Sequence, residues 1–196
     1  MRRLISLIVC SLLVLPGLKA QQHHSDALDD LLQHVPMASV FALKAIDYWA
    51  DEAEWEALGN HSSWIELTAT AVASYVVSAG VAYGMKQTVR ERRPDGSDRR
   101  SFPSGHATFA FAGATMLRHE FGHVSPWVTV GGYGLAALVA VNRVRLDRHY
   151  LHDVCAGAAI GIGATELSYY LGRRLWPDRP VVLSATGQTI TLTVTF

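Results

Sequence analysis

Cysteine is nearly absent from this sequence. Only two occur in 196 residues, Cys10 and Cys155. Cys10 lies inside an apolar N-terminal run and Cys155 inside "VCAGAAIG". Removal of the N-terminal run would leave one thiol, so a disulfide framework is excluded. Cys155 then reads as a small buried hydrophobe. Net charge is missing too: 17 Lys and Arg balance 17 Asp and Glu. That balance points to no nucleic-acid partner. Charged residues make up 17%, below the ~25% of an ordinary soluble domain. Hydrophobic residues reach 49% and mean hydropathy is +0.16, which leans toward the membrane. No internal repeat and no low-complexity linker occurs.

The apolar content comes in blocks. Arg2 and Arg3 precede an apolar core from Leu4 to Leu15, and Leu18-Lys19-Ala20 resembles a cleavage site. This is the pattern of a secretory signal. Residues 1–20 are expected to be a signal peptide cut after Ala20, with an uncleaved anchor as the alternative. Residues 21–180 form the helical domain and 181–196 a C-terminal tail. A polar leader covers 21–34. Helical spacing follows over 35–50, then an acidic connector with a turn at Gly59-Asn60. Trp64 to Met85 is the strongest helix, with one charge, Glu66, over a length that can cross a bilayer. Pro103 is expected to start a helix that runs to Glu120. Further apolar segments cover Trp127–Val141 and Val154–Leu171, and their Gly and Ala content permits close helix approach. The end, "ITLTVTF", alternates at strand period. The expected fold is all-α: a bundle of five to six helices, membrane-embedded or membrane-associated, with a strand-like tail packed on the bundle or fraying rather than forming a sheet.

Three clusters carry chemistry. The run "KQTVRERRPDGSDRR" holds Lys86, Arg90, Arg92, Arg93, Arg99 and Arg100. Alone it reads as a solvated linker. It lacks the aromatic interleaving of a nucleic-acid site, but arginine forks and a lysine also suit a phosphate. In "PSGH", Pro103 suits a first helical turn. Helix N-termini bind anions, Gly105 admits a ligand to the backbone, Ser104 adds a hydroxyl, and His106 exchanges a proton near neutral pH. Ser104 as a plain helix cap is the simpler alternative. In "NRVRLDRHYLHD", His149 and Asp153 lie four apart and would share a helical face. The carboxylate would fix the ring's tautomer and leave the other nitrogen to attack.

Together, Lys86-x6-Arg93-Pro94, Pro103-Ser104-Gly105-His106 and Arg143-x5-His149-x3-Asp153 resemble the three signature motifs of the type 2 phosphatidic acid phosphatase superfamily. That superfamily includes lipid phosphate phosphatases, bacterial class A acid phosphatases and vanadium haloperoxidases. The resemblance implies a helical bundle and phosphoryl transfer with no cofactor and no metal. It implies His149 as the nucleophile, Asp153 as its orienting carboxylate and His106 as the acid that protonates the leaving oxygen. Lys86, Arg93, Arg143, Ser104 and Gly105 would hold the phosphoryl oxygens. The sequence departs from the pattern at Asn142, where the family usually has Ser; Asn142 is kept as a further phosphate contact. The spacer between the first two motifs, "DGSDRRSF", is also short.

Other readings stand beside this one. "HEFGH" matches the H-E-x-x-H pattern of zinc proteases, with His119 and His123 as ligands, Glu120 as base and Glu166 as a forced third ligand. Gly122 and Pro126 place a helix end there instead. "HYLHD" offers His149, His152 and Asp153 to a metal. A non-enzymatic membrane scaffold would account for the helices but not the clusters. The substrate expected is a phosphorylated lipid, with small phosphomonoesters for a soluble periplasmic bundle. Alternating crossings from a cytoplasmic N-terminus place the motifs at the periplasm or exterior, with Arg118, Arg173 and Arg174 inside.

Overall fold

The computed structural model describes residues 30–48, 62–175, 181–186 and 189–194. The expectations for the signal segment and for Gly59-Asn60 lie outside the described residues. Five helices follow one another: α1 Val35–Tyr48, α2 Trp64–Val89, α3 Gly105–Phe121, α4 Pro126–Arg145 and α5 Leu151–Leu175.

Local chemistry sets the helix ends. Ser63 and Glu66 form a capping box at α2, with Glu66 N donating to Ser63 Oγ at 3.1 Å and Ser63 N donating to Glu66 Oε2 at 2.8 Å. Two otherwise orphaned amides are satisfied in this way. The helix stops where Arg90 turns left-handed, at φ 48°. Ser125 caps α4 and Pro126 fills its first position. Pro103 does not start α3 as expected. Ser104 is the cap and Gly105 the first helical residue, because the Ser104 side chain takes up the Ala107 amide.

The chain runs up and down. Asp30, before α1, meets His106 at the start of α3. Lys44, late in α1, donates to Ser62 O just before α2. The Lys86 end of α2 meets Pro103 before α3, and Ser104 meets Asp153 at the start of α5. One end of the bundle thus gathers residues 30, 86–106 and 142–153. The other gathers 62, 118–126 and 173–175.

Helix α3 is the axle, packed against all four other helices. At the far end the core is large: Met37, Val40 and Leu43 meet Leu67, Met116, Leu117, Phe121 and Val128. Toward the site it shrinks to Ala110, Ala114 and Ala136, then to Ala107 and Ala140 with Val139 and Val154 at the edges. Small residues bring backbones together. A Cβ on Gly157 would collide with Ser104 O, and one on Gly161 with Thr108 O. A polar link locks the same region, with Ser74 Oγ and Thr165 Oγ1 2.6 Å apart and Thr165 Oγ1 donating to Gly161 O at 3.0 Å.

Helices α2, α4 and α5 are long and apolar enough to cross a membrane. They expose Val72, Val76, Val130, Leu138, Val141 and Leu171 outward, as lipid-facing surfaces do. Cys155 corrects an expectation: it is exposed, on the side of α5 away from buried Val154 and Gly157. The tail also differs. Val181–Thr186 and Thr189–Val194 pair antiparallel in register from Val181↔Val194 to Thr186↔Thr189. The alternation in "ITLTVTF" marks β2, and β1 supplies the partner that a lone strand lacked.

The close α3–α5 approach yields a stability contrast. Gly161→Ala should destabilise the protein by about 1–3 kcal/mol, the usual cost of overpacking. Gly105→Ala meets nothing within 4 Å and should melt like the parent. Thermal unfolding in one detergent compares the two.

Candidate active site

The site end is built around Asp153, which has no solvent exposure. Its Oδ2 accepts from Ser101 Oγ at 2.5 Å and from Tyr150 N at 2.8 Å. His149 Nδ1 lies 3.5 Å from the same oxygen. That is ion-pair distance and longer than a good hydrogen bond. The Asp153 carbonyl receives Ser104 N at 3.0 Å. The pair does not share a helical face as expected. His149 precedes α5, and Asp153 in its first turn reaches back to it. His149 is nearly buried, at 3% side-chain exposure. Burial first, then the Arg93 and Lys86 charges, push its pKa down to about 4, against Asp153.

The basic loop folds on itself, with Lys86 and Arg93 half-buried and Arg90, Arg92, Arg99 and Arg100 exposed. Arg93 Nε donates to Asp98 Oδ1 at 2.8 Å, and Arg100 N donates to that same oxygen at 2.8 Å. Ser101 N donates to Glu91 O at 3.0 Å. Gly96, at φ +75°, makes the turn. Lys86 Nζ donates to Arg100 O at 2.8 Å and Pro103 O at 2.5 Å. Lysine has three donors, so it pins the loop and keeps one. Arg143 is buried at the end of α4, with Asn142 half-buried beside it.

The α3 entrance answers the "PSGH" motif. Ser104 is fully buried and its hydroxyl accepts from Ala107 N at 3.4 Å, which is the capping role. Open space stands over the Gly105 Cα, where a helix N-terminus offers unpaired amides. His106 Nε2 lies 2.8 Å from Asp30 Oδ1. Burial lowers the His106 pKa, Asp30 opposes, and Arg93 and Lys86 lower it further. The same two cations therefore act on both histidines.

The competing motifs are committed elsewhere. Glu120 is buried and accepts from Ser62 Oγ at 2.5 Å and Tyr169 OH at 2.6 Å. Glu166 holds Arg118 and, at 3.0 Å, His119, while His119 stacks on Tyr169 with centroids 4.0 Å apart. His123 lies in the turn after α3, off any shared helical face. In "HYLHD", His152 points to Glu91 at 3.0 Å and to Asp153 Oδ1 at 3.2 Å. Glu91, His152 and Asp153 place ligand atoms within 4.8 Å of one another. His149 is not in that group, and His152 already bonds to Glu91.

Three contributors escaped the sequence reading. Ser101 is one serine among charges, Glu91 one acid in a basic run, and Asp30 part of a polar leader. No local pattern marks them.

Over 151 residues the chain is 31% identical to the lipid A 1-phosphatase of Porphyromonas gingivalis, an alignment covering 77% of this chain and 32% of that protein. Over 109 residues it is 33% identical to a decaprenylphosphoryl-5-phosphoribose phosphatase of Mycobacterium tuberculosis, covering 50% of this chain and 58% of the relative. The chain thus spans about a third of the first relative and over half of the second. The crystal structure of Aquifex aeolicus LpxE superposes with a TM-score of 0.52 at 20% identity, over 77% of this chain and 88% of that one, a likeness of fold. The PAP2 superfamily profile matches residues 64–177, from the start of α2 past the end of α5 and across all three motifs, and the chain belongs to that superfamily.

Proposed function

We propose that this chain is a phosphoric ester hydrolase that removes phosphate from phosphorylated lipids through a phosphohistidine on His149, with no metal in the catalytic step. The observation that carries the reading is that Asp153 holds His149, at 3.5 Å, and the cap of α3, through Ser104 N at 3.0 Å, while Lys86 ties the basic loop to the same end through the Arg100 and Pro103 carbonyls. Two imidazoles at the end of the bundle that carries the basic loop suit a phosphoryl group passing between a nucleophile and a leaving oxygen.

In the first step neutral His149 attacks phosphorus. The N–P bond forms as the P–O bond to the leaving group breaks. His106 gives its proton to that oxygen, and Asp153 offsets the charge gained by the His149 ring. Lys86, Arg93, Arg143 and the Gly105 amide neutralise the non-bridging oxygens, where most of the stabilisation of such a transition state lies. Ser104 supports that helix end, and Asn142 flanks Arg143. In the second step His106, now neutral, takes a proton from water. The water attacks phosphorus, the N–P bond breaks, and phosphate leaves.

The lipid assignment rests on the named relatives and on the three membrane-length helices whose ends flank the site. Polyprenyl, glycerolipid and lipid A phosphates or diphosphates fit that chemistry. The outward orientation rests on the alternation of the segments: α1, with Asp30 before it at the site end and Lys44 at the far end, runs antiparallel to α2. The cations at the site end are accounted for by the phosphate that Lys86, Arg93 and Arg143 would hold.

Two measurements test this reading. Hydrolysis of a polyprenyl or lipid A phosphate in detergent should survive excess EDTA; loss restored by zinc would favour the His119-Glu120-His123 reading. The acid limb of kcat/KM, corrected for the substrate's own ionisation, should lie below the ordinary imidazole value of about 6.5. His149 attacks when neutral, and its lowered pKa keeps it neutral to lower pH. A limb at 6.5 or above would contradict the nucleophile assignment.

A further inference from the structure

The acid His106 has a carboxylate partner that no motif supplies. Asp30 Oδ1 lies 2.8 Å from His106 Nε2, across a sequence separation of 76 residues. Two further contacts hold the Asp30 turn over the site. His34, one turn on, has Nδ1 3.2 Å from Tyr75 OH on α2. Its ring also packs beside Phe109 of α3, with centroids 5.8 Å apart. Tyr75 and Phe109 complete the wall at 5.0 Å. The N-terminal turn is therefore seated against both helices next to His106.

We infer that Asp30 is a positioning residue for the acid, so that the segment before α1 completes the active site. This rests on the assignment of His106 above. Every other influence on the ring works against the protonated form. Burial disfavours it, and Arg93 and Lys86 repel it. Asp30 is the opposing charge, and it fixes which nitrogen acts. With Nε2–H held by the carboxylate, the proton given to the leaving oxygen is the one on Nδ1. As the P–O bond breaks, its electron pair stays on oxygen, Nδ1–H passes to that oxygen, and the imidazolium becomes a neutral imidazole still bonded to Asp30. A charged partner that orients a ring and stabilises its cation raises its competence as an acid.

The test uses the full chain in detergent with two phosphoesters, one with a good aryloxide leaving group and one with a poor alkoxide. Asp30→Asn keeps the size of the side chain and removes its charge. The variant should lose about 10-fold or more on the poor leaving group, part of the usual worth of a general acid, and much less on the good one. The basic limb of its kcat profile should move to lower pH, because a His106 without Asp30 gives up its proton sooner. Asp30→Glu should recover most of the loss. In a His106→Ala background, Asp30→Asn should add nothing. Equal losses on both substrates with an unmoved basic limb, or no loss, would overturn the inference and leave Asp30 a surface contact. If His106→Ala itself fails to discriminate between leaving groups, the acid assignment falls and this inference with it. If His106→Ala discriminates and Asp30→Asn does not, only the role of Asp30 is lost.

Discussion

A carboxylate shut off from water must be satisfied by its surroundings or it destabilises the fold by several kcal/mol. Asp153 is that group, and its needs organise the site end. Its side chain collects Ser101, the Tyr150 amide and His149, and its carbonyl collects Ser104. The four partners come from three stretches: Ser101 from the end of the basic loop, His149 and Tyr150 from the approach to α5, and Ser104 from the cap of α3. The Oδ2 and the carbonyl of one residue therefore fix the loop that carries the cations against the helix that offers its amides, with the nucleophile between. Lys86 secures the same loop from α2 through the Arg100 and Pro103 carbonyls.

That convergence needs helices that nearly touch. The core narrows from Met, Leu and Phe at the far end to Ala and Gly at the site. Gly157 and Gly161 let α5 rest on the α3 backbone. The small residues let α3 and α5 approach closely where the chemistry is. The far end meets a different demand. Buried Glu120 is satisfied by Ser62 and Tyr169, so the "HEFGH" residues brace the bundle. The outer surfaces of α2, α4 and α5 remain apolar, which suits a bilayer around a polar site.

The helices and their order were legible in the sequence because long apolar blocks, and the breaks between them, act locally. The three motifs were legible because their spacing is a property of the chain alone. The partners of those motifs were not. Asp30 sits in a polar stretch with no signal of its own, and its contact exists only once α1 lies along α3. Ser101 is two residues from the "PSGH" motif, yet nothing local says that its hydroxyl reaches Asp153. Lys86 was expected on phosphate and first holds two carbonyls; that commitment depends on how the loop folds. Likewise β1 has little strand pattern without β2 to pair with. For Asp30, Ser101 and Lys86, what the sequence hides is a contact between residues far apart in the chain.

The central claim is that His149 carries the phosphoryl group. Brief reaction with a ³²P-labelled lipid phosphate, followed by alkaline quench and peptide mapping, tests it most directly. The account predicts an acid-labile, base-stable label on the peptide that contains His149, absent in His149→Ala. Turnover with no trapped label under single-turnover conditions, or a label on any other residue, would contradict it.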